Sequence, residues 1–388
     1  MRKLRILFAT TRGTGHLSPL LPYAKELSRR GHKIRIAARI DLADRIERAG
    51  FEHVILDAPK AEELEEIWAR TKGLTPNKVT EINIQEIFGG ITARAALPAM
   101  KKAISDWRPD LIVRESLEFS SIVAAQAAGI PHSRIEVSSA HSEESYFPAG
   151  SAAIDLLRIS VGLNADAGDG FLKEPVFSAF PKALDGSVVR RGSPTFRVGP
   201  SVADNANAAS NAPWAQDNGD PLIYLTFGTE TQKFDHAKSI HHIALEAVTG
   251  LPVRALLTTG AELAPEVLGA IPPNATVLPW VPQSDVFPLA TVLVNHGGSG
   301  SMLGGLAAGL PMVITPLFAD QPSNADQVEK AGAGLAVPDP SPETLRSAIT
   351  EVLEGQQFRE GASRIAVEMA QTPKIDAAVD KLLEPVAG

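Results

Sequence analysis

Two stretches of this sequence hold residues whose types and spacing suit them to chemistry. In the first, His16 closes Gly13-Thr14-Gly15-His16, directly after the apolar run Leu4–Thr10. An imidazole with an ordinary pKa near 6.5 can take a proton from a hydroxyl around neutral pH. Such a base needs a group that fixes its tautomer and stabilises the imidazolium, usually a carboxylate. Glu115 follows a second apolar run, Leu111-Ile112-Val113, and reaches the same edge when both runs lie in one parallel sheet. A lone histidine reads as a capping or packing residue, and a lone glutamate as a surface carboxylate. Their shared position after strands keeps open the other reading, a base and its orienting partner.

The second stretch is Val292–Asn295, which runs into His296-Gly297-Gly298-Ser299-Gly300-Ser301 and on through Met302–Pro311. A strand ending in glycines and then a helix exposes backbone N–H groups, and the helix dipole adds about half a positive charge there. The glycines let the backbone approach an anion closely. Ser299 and Ser301 add hydroxyl donors and His296 an imidazole donor. A bare strand-helix turn is the alternative, and the segment is neither a P-loop nor a good G-x-G-x-x-G fingerprint. Its flanks favour a ligand. Upstream, Trp280-Val281-Pro282-Gln283 follows the strand-like Ala275–Leu278, where an indole can stack on a base or pack in a core. Downstream, Asp320-Gln321 offers an acceptor and an amide fork for sugar hydroxyls, or Asp320 simply caps the next helix.

The elements that must position these residues alternate. Strand-like runs at Leu4–Thr10, Lys33–Ala38, Leu111–Val113 and 132–137 are separated by helical patterns at Leu17–Arg30, Leu42–Ala49, 61–105 and 119–128. The pattern lapses between 186 and 219 in Gly, Pro, Ser, Asn and Ala, and restarts at Pro221–Thr229 with strands near 253–258, 275–278, 291–294 and 311–314. Strand-helix alternation implies α/β architecture with parallel sheets covered on both faces. The expected organisation is a domain over 1–198, a linker over 199–219, a second domain over 220–372 and a final helix within 373–388. At 388 residues with 44% hydrophobic content, two cores are affordable. A net charge of −8 argues against nucleic acid as a partner. There are no cysteines, which excludes thiolate chemistry. No uncharged apolar run approaches the roughly 18 residues of a membrane span, and the N-terminus is no signal peptide, so a cytoplasmic protein is expected. His132, His141, Glu143 and Glu144 are weaker site residues, with His141 and Glu143 expected on a loop. His241-His242 falls in a helix without metal spacing.

Four blocks in order, Trp280–Gln283, His296–Ser301, Gly309-Leu310-Pro311 and Asp320-Gln321, resemble the donor signature of the GT-B, UDP-glycosyltransferase-like enzymes that decorate natural products. The bacterial antibiotic enzymes acting on enediyne, macrolide and aromatic polyketide aglycones are the nearest resemblance. It implies two doubly wound Rossmann-like domains facing across a cleft, with the last helix returning to the N-terminal domain. It implies that Trp280 stacks on the base and Val281 contacts its edge, with Gln283 beside them. His296 and the amides of Gly298, Ser299, Gly300 and Ser301 would hold the diphosphate, with Thr229 as a further contact. Asp320 and Gln321 would bind the sugar. His16 would be the base of an inverting transfer, with Glu115 where relatives often carry aspartate. No metal or other cofactor is required. Uridine-using relatives often carry a glutamate at the position of Gly304, gripping the ribose hydroxyls. Its loss here predicts a thymidine-diphosphate sugar, with a deoxy sugar and a small hydrophobic acceptor. Loops 57–95 and 138–180, with Phe88, Ile91, Tyr146 and Phe147, are expected to line the acceptor site. A sugar-nucleotide epimerase or polysaccharide-type transferase of the same fold, and a non-catalytic nucleotide-binding homologue, are the rival readings. A homodimer is left open.

Overall fold

The strand-to-glycine transitions of the sequence become the carboxyl edges of two parallel sheets, one in each of two units. The computed structural model describes residues 2–186, 188–192, 194–200, 212–216, 218–228, 239–260, 263 and 265–386. The first unit comprises 1–179, 187–198 and 373–388, and the second 180–186 and 199–372.

In the first unit the strands are β1 (Arg5–Ala9), β2 (Lys33–Ala38), β3 (Glu52–Ile55), β4 (Leu111–Glu115), β5 (His132–Ile135), β6 (Val176–Ser178) and β7 (Thr195–Arg197). They pair in the order β3-β2-β1-β4-β5-β6-β7, all parallel. The helices are α1 (Thr14–Leu17), α2 (Leu21–Arg29), α3 (Ala43–Arg48), α4 (Ala61–Thr71), α5 (Pro76–Ile82), α6 (Ala93–Trp107), α7 (Phe119–Ala128), α8 (Ala140–Ser160) and α9 (Asp169–Lys173), with a π-helix over Asn83–Thr92 joining α5 to α6. Central strands β1 and β4 are apolar on both faces and nearly all their side chains are buried, as a sheet covered by helices on both sides requires. The chain leaves β1 on one side and β4 on the other. Ligands of open α/β sheets bind at such a reversal, beside the carboxyl ends of the strands.

In the second unit β8 (Leu222–Thr226), β9 (Arg254–Thr258), β10 (Ala275–Leu278), β11 (Val292–Asn295), β12 (Met312–Ile314) and β13 (Gly334–Ala336) pair in the order β10-β9-β8-β11-β12-β13, again all parallel. The reversal lies between β8 and β11. Around this sheet run α10 (Ile240–Val248), α11 (Gln283–Val286), α12 (Ser299–Ala307), α13 (Gln321–Lys330), α14 (Pro342–Glu354) and α15 (Gln356–Gln371). The last helix, α16 (Ile375–Leu383), packs Ala378, Val379, Leu382 and Leu383 into the first unit's core against Tyr23, Ala24 and Leu27 of α2.

Several expectations are corrected. The helix expected over Leu17–Arg30 is two helices, because Pro22 can sit only in the first turn of the second. The lapse at 186–219 includes β7, the outer strand of the first sheet. The expected loops 57–95 and 138–180 are largely helical, and α8 alone spans 21 residues. Pro148 and Gly150 inside α8 mask its helical character in the sequence.

Candidate active site

His16 and Glu115 meet at the reversal point of the first sheet. Glu115 is the last residue of β4, and His16 follows β1 after a turn that Gly13 makes with φ 87°. The imidazole Nδ1 lies 3.1 Å from Glu115 Oε2. Glu115 is completely buried, while the His16 side chain retains 24% exposure. The carboxylate is held from three other directions. Oε1 accepts from the Thr11 N–H at 3.1 Å and the Thr11 hydroxyl at 2.9 Å, and Oε2 accepts from the Leu117 N–H at 2.8 Å. Burial alone would push this carboxyl up, but His16, the Leu117 amide and Thr11 together outweigh it and hold it below the ordinary carboxylate range. That contribution to stability is present above the ordinary pKa of 4.5 and is lost as pH falls through the lowered value. A carboxylate facing Nδ1 favours the tautomer protonated there, in which Nε2 is the acceptor nitrogen. The ring of Phe88, from the π-helix, lies 6.0 Å from the imidazole, tilted by 34°.

The glycine-rich segment forms the corresponding edge of the second sheet. Buried Asn295 ends β11 and accepts the Gly297 N–H at 2.7 Å, shaping a turn in which Gly297 has φ 82°. Gly298 stands at the N-cap of α12 and has no side chain with which to cap it. The His296 ring is flanked by glycines. A Cβ on Gly298 would lie 2.4 Å from its Nε2, and one on Gly228 would lie 2.7 Å from it. His296 Nδ1 is buried and has no hydrogen-bond partner among the described residues. Burial depresses the imidazole to about 4, against a weaker opposing pull from the Thr226 backbone, so the ring is neutral at pH 7.

Residues around this turn connect to it. Gln283, the first residue of α11, donates through Nε2 to Ser301 Oγ at 2.9 Å. Asp320 precedes α13 but makes no side-chain cap. Its carboxylate accepts instead from Asn324 Nδ2 at 3.1 Å and Ser299 Oγ at 3.5 Å. Asn324, which sequence reading did not single out, also donates to the Gly297 carbonyl at 2.9 Å and so ties α13 to the glycine turn. The only sequence signal for it was its place one helical turn after Asp320. Gln321 is buried, and its Oε1 accepts the N–H groups of Leu317 (2.8 Å) and Phe318 (3.0 Å). The amide fork expected to meet a sugar is thus half committed to its own loop. Ala319 in that loop has φ 56°, a left-handed conformation that costs a non-glycine residue energy. Trp280 is 68% exposed, which removes core packing as its explanation, whereas Val281 beside it is buried. Thr229 lies outside the described residues.

Residues 25–149 and 244–384 match the N-terminal and C-terminal domain models of erythromycin biosynthesis protein CIII-like proteins. The L-demethylnoviosyl transferase of Streptomyces niveus is 28% identical over 383 residues, covering 95% of each chain. Among solved structures, the calicheamicin glycosyltransferase CalG4 superposes with a TM-score of 0.81 at 24% identity over 100% of both chains. The Streptomyces sp. SF2575 glycosyltransferase SsfS6, complexed with thymidine diphosphate, superposes with a TM-score of 0.78 at 22% identity over 99% of this chain and 100% of its own. The chain belongs to the CIII-like glycosyltransferase family.

In this GT-B glycosyltransferase the weaker histidines have other surroundings. His132 Nδ1 lies 3.0 Å from buried Glu174, and His241 is buried in α10, edge-on to Phe227 at 5.4 Å. His141 and Glu143 stand on α8 rather than on a loop. His141 is exposed, but Glu143 is buried and accepts from Ser116 Oγ. Burial and the charge of Glu136 push the Glu143 carboxyl up, against the pull of Arg134. Ile91 is buried beside Ile67 and Ile87, and Phe88, Tyr146 and Phe147 are half-buried against the first unit's core. No helix among the described residues is long and apolar enough to cross a membrane.

The depressed pKa of His296 predicts a stability signature. The unfolded chain binds a proton near pH 6.5 and the native ring only near 4, so this site favours the unfolded state as pH falls from 6.5 towards 4. Urea midpoints at about pH 7 and pH 5 should therefore converge in His296→Gln relative to wild type. An unchanged pH dependence in that variant would show the ring is not sequestered.

Proposed function

We propose that the enzyme transfers a deoxysugar from a thymidine-diphosphate donor to a hydroxyl of a small hydrophobic natural-product acceptor, inverting the anomeric carbon. The observation that carries the chemistry is a completely buried, ionised Glu115 presenting itself to the Nδ1 of a partly exposed His16. His16 Nε2 takes the acceptor's hydroxyl proton as the oxygen attacks the anomeric carbon. The bond from that carbon to the diphosphate breaks, and its electron pair leaves with the nucleotide. N–H groups at the start of α12, with the neutral His296 ring, stabilise the departing charge without a metal. The exposed indole of Trp280 stacks on the base, Val281 meets its edge, and Asp320 receives sugar hydroxyls. The helical segment from α4 to the start of α6, with α8, supplies the acceptor surface.

The thymidine assignment has a steric support beyond the missing carboxylate. A Cβ on Gly304 would lie 2.6 Å from Phe287 Cε2, and Phe287 is buried and packed edge-on to Tyr224. A ribose-gripping side chain at this position has no room unless Phe287 moves. The neighbour SsfS6 carries thymidine diphosphate, and deoxysugars appear among relatives in an aclacinomycin-T 2-deoxy-L-fucose transferase.

Calorimetric titration with thymidine and uridine diphosphates tests the donor. Thymidine diphosphate should bind several-fold more tightly, and clearly tighter uridine diphosphate would overturn the assignment. Proton coupling at the anomeric centre of the product, compared with that of the donor, tests inversion and also separates transfer from epimerisation.

A further inference from the structure

Arg114, the residue before Glu115 on β4, is completely buried, and so is its partner Glu174 between α9 and β6. The guanidinium binds that carboxylate on two sides, Nε to Oε2 at 3.1 Å and Nη2 to Oε1. Its remaining arm, Nη1, donates to the carbonyls of Glu115 at 2.9 Å and Ser116 at 3.0 Å, and reaches that of Glu118 at 3.5 Å. Those carbonyls form the turn whose other side supplies the Leu117 N–H to the Glu115 carboxylate. One guanidinium thus holds the outer face of the turn, while the carboxylate that orients His16 closes its inner face.

Glu174 is fixed in turn by His132 Nδ1 at 3.0 Å and by Arg134 Nε at 3.5 Å. Burial opposes its charge, but Arg114, His132 and Arg134 hold it down to about 2. The Phe171 ring lies beneath both guanidiniums, 5.1 Å from Arg114 and 4.1 Å from Arg134.

Two charges at this depth lose their hydration, and an apolar pair of similar volume would often stabilise a fold as well or better. What an apolar pair cannot do is fix direction. The planar guanidinium presents its donors in a rigid fork, so a carboxylate gripping two edges determines where the third arm points. We infer that Arg114, locked by Glu174, is a positioning residue that sets the strand-end turn and thereby aims Glu115 at His16. This rests on the reading of His16 as the base.

The test uses the full-length enzyme with Arg114→Lys, which keeps the charge and removes the fork. Misplacing a catalytic group by about 1 Å can lower turnover on the order of 100-fold. The expected result is therefore a kcat reduced roughly 10- to 100-fold at unchanged donor KM. In the His16→Ala background the same substitution should have no further effect, because a residue acting only through the pair has nothing left to aim. Wild-type kcat in folded R114K overturns the proposal, and so does an equal loss with and without His16. If R114K does not fold, Glu174→Gln keeps the shape of the pair, weakens the lock and is read in the same way. Near-normal turnover in H16A alone would instead sink the base assignment, a result distinguishable from an active R114K beside an inactive H16A.

Discussion

Replacing His16 with alanine lowers kcat by roughly 100- to 10,000-fold, the range contributed by a positioned general base. Donor affinity should stay near wild type, because every residue assigned to the nucleotide lies in the second unit. Stability should also change little, and the surroundings of Glu115 explain why. Without the imidazole, its carboxylate still accepts the Thr11 N–H, the Thr11 hydroxyl and the Leu117 N–H, so the buried charge is not abandoned. Glu115→Gln makes the sharper comparison. Donors converge on this side chain from Thr11, Leu117 and His16, and an amide presents one oxygen and one NH₂ group. One donor must then face another, and the easiest relief is for His16 to change tautomer or turn away. E115Q should therefore lose most of the activity that H16A loses while its donor KM stays put. Single-turnover release of nucleotide diphosphate, with folding checked by circular dichroism, measures both variants. Near-normal release by a folded H16A would remove the base from the scheme.

The second large effect is expected at a residue with no side chain. Gly298→Ala should weaken donor binding about 10- to 100-fold, or about 1.4 to 2.7 kcal/mol. Gly298 has φ −65° and ψ 134°, a conformation alanine adopts readily, so backbone strain contributes nothing. The whole effect lies in a methyl group placed 2.4 Å from His296 Nε2, which the ring must vacate. The same ring lies close to Gly228, where an added Cβ would sit 2.7 Å from Nε2. Calorimetry with thymidine diphosphate reads the loss, and an unchanged affinity in folded G298A would show that neither the ring nor this helix start contacts the donor.

The parts legible in the sequence are those where local chemistry and tertiary demand coincide. β1, β4, β8 and β11 are short apolar runs ending in polar or glycine residues, as central parallel strands must be. Their ends carry His16, Glu115 and His296 because a carboxyl edge is where a side chain can leave the sheet. What stayed hidden depends on partners distant in sequence. β6 and β13 are three-residue strands that exist only because a neighbour pairs with them. α8 contains a proline and a glycine that a solitary helix would resist. Gln321 was expected to face a sugar, but nothing in its identity reveals that Leu317 and Phe318 claim its oxygen. Arg114 reads as an interruption of an apolar strand until Glu174 is placed beside it.

The return of α16 to the first unit has a consequence in time. A ribosome makes that unit's sheet first, then the whole second unit, and only then Ala378, Val379, Leu382 and Leu383. Until those residues emerge, the apolar face of α2 lacks the part of its cover that α16 provides. The second unit, which needs nothing made later, can finish folding while the first is still waiting. The nascent chain can therefore pass through a stage in which the second unit is complete and the unit carrying His16 is not.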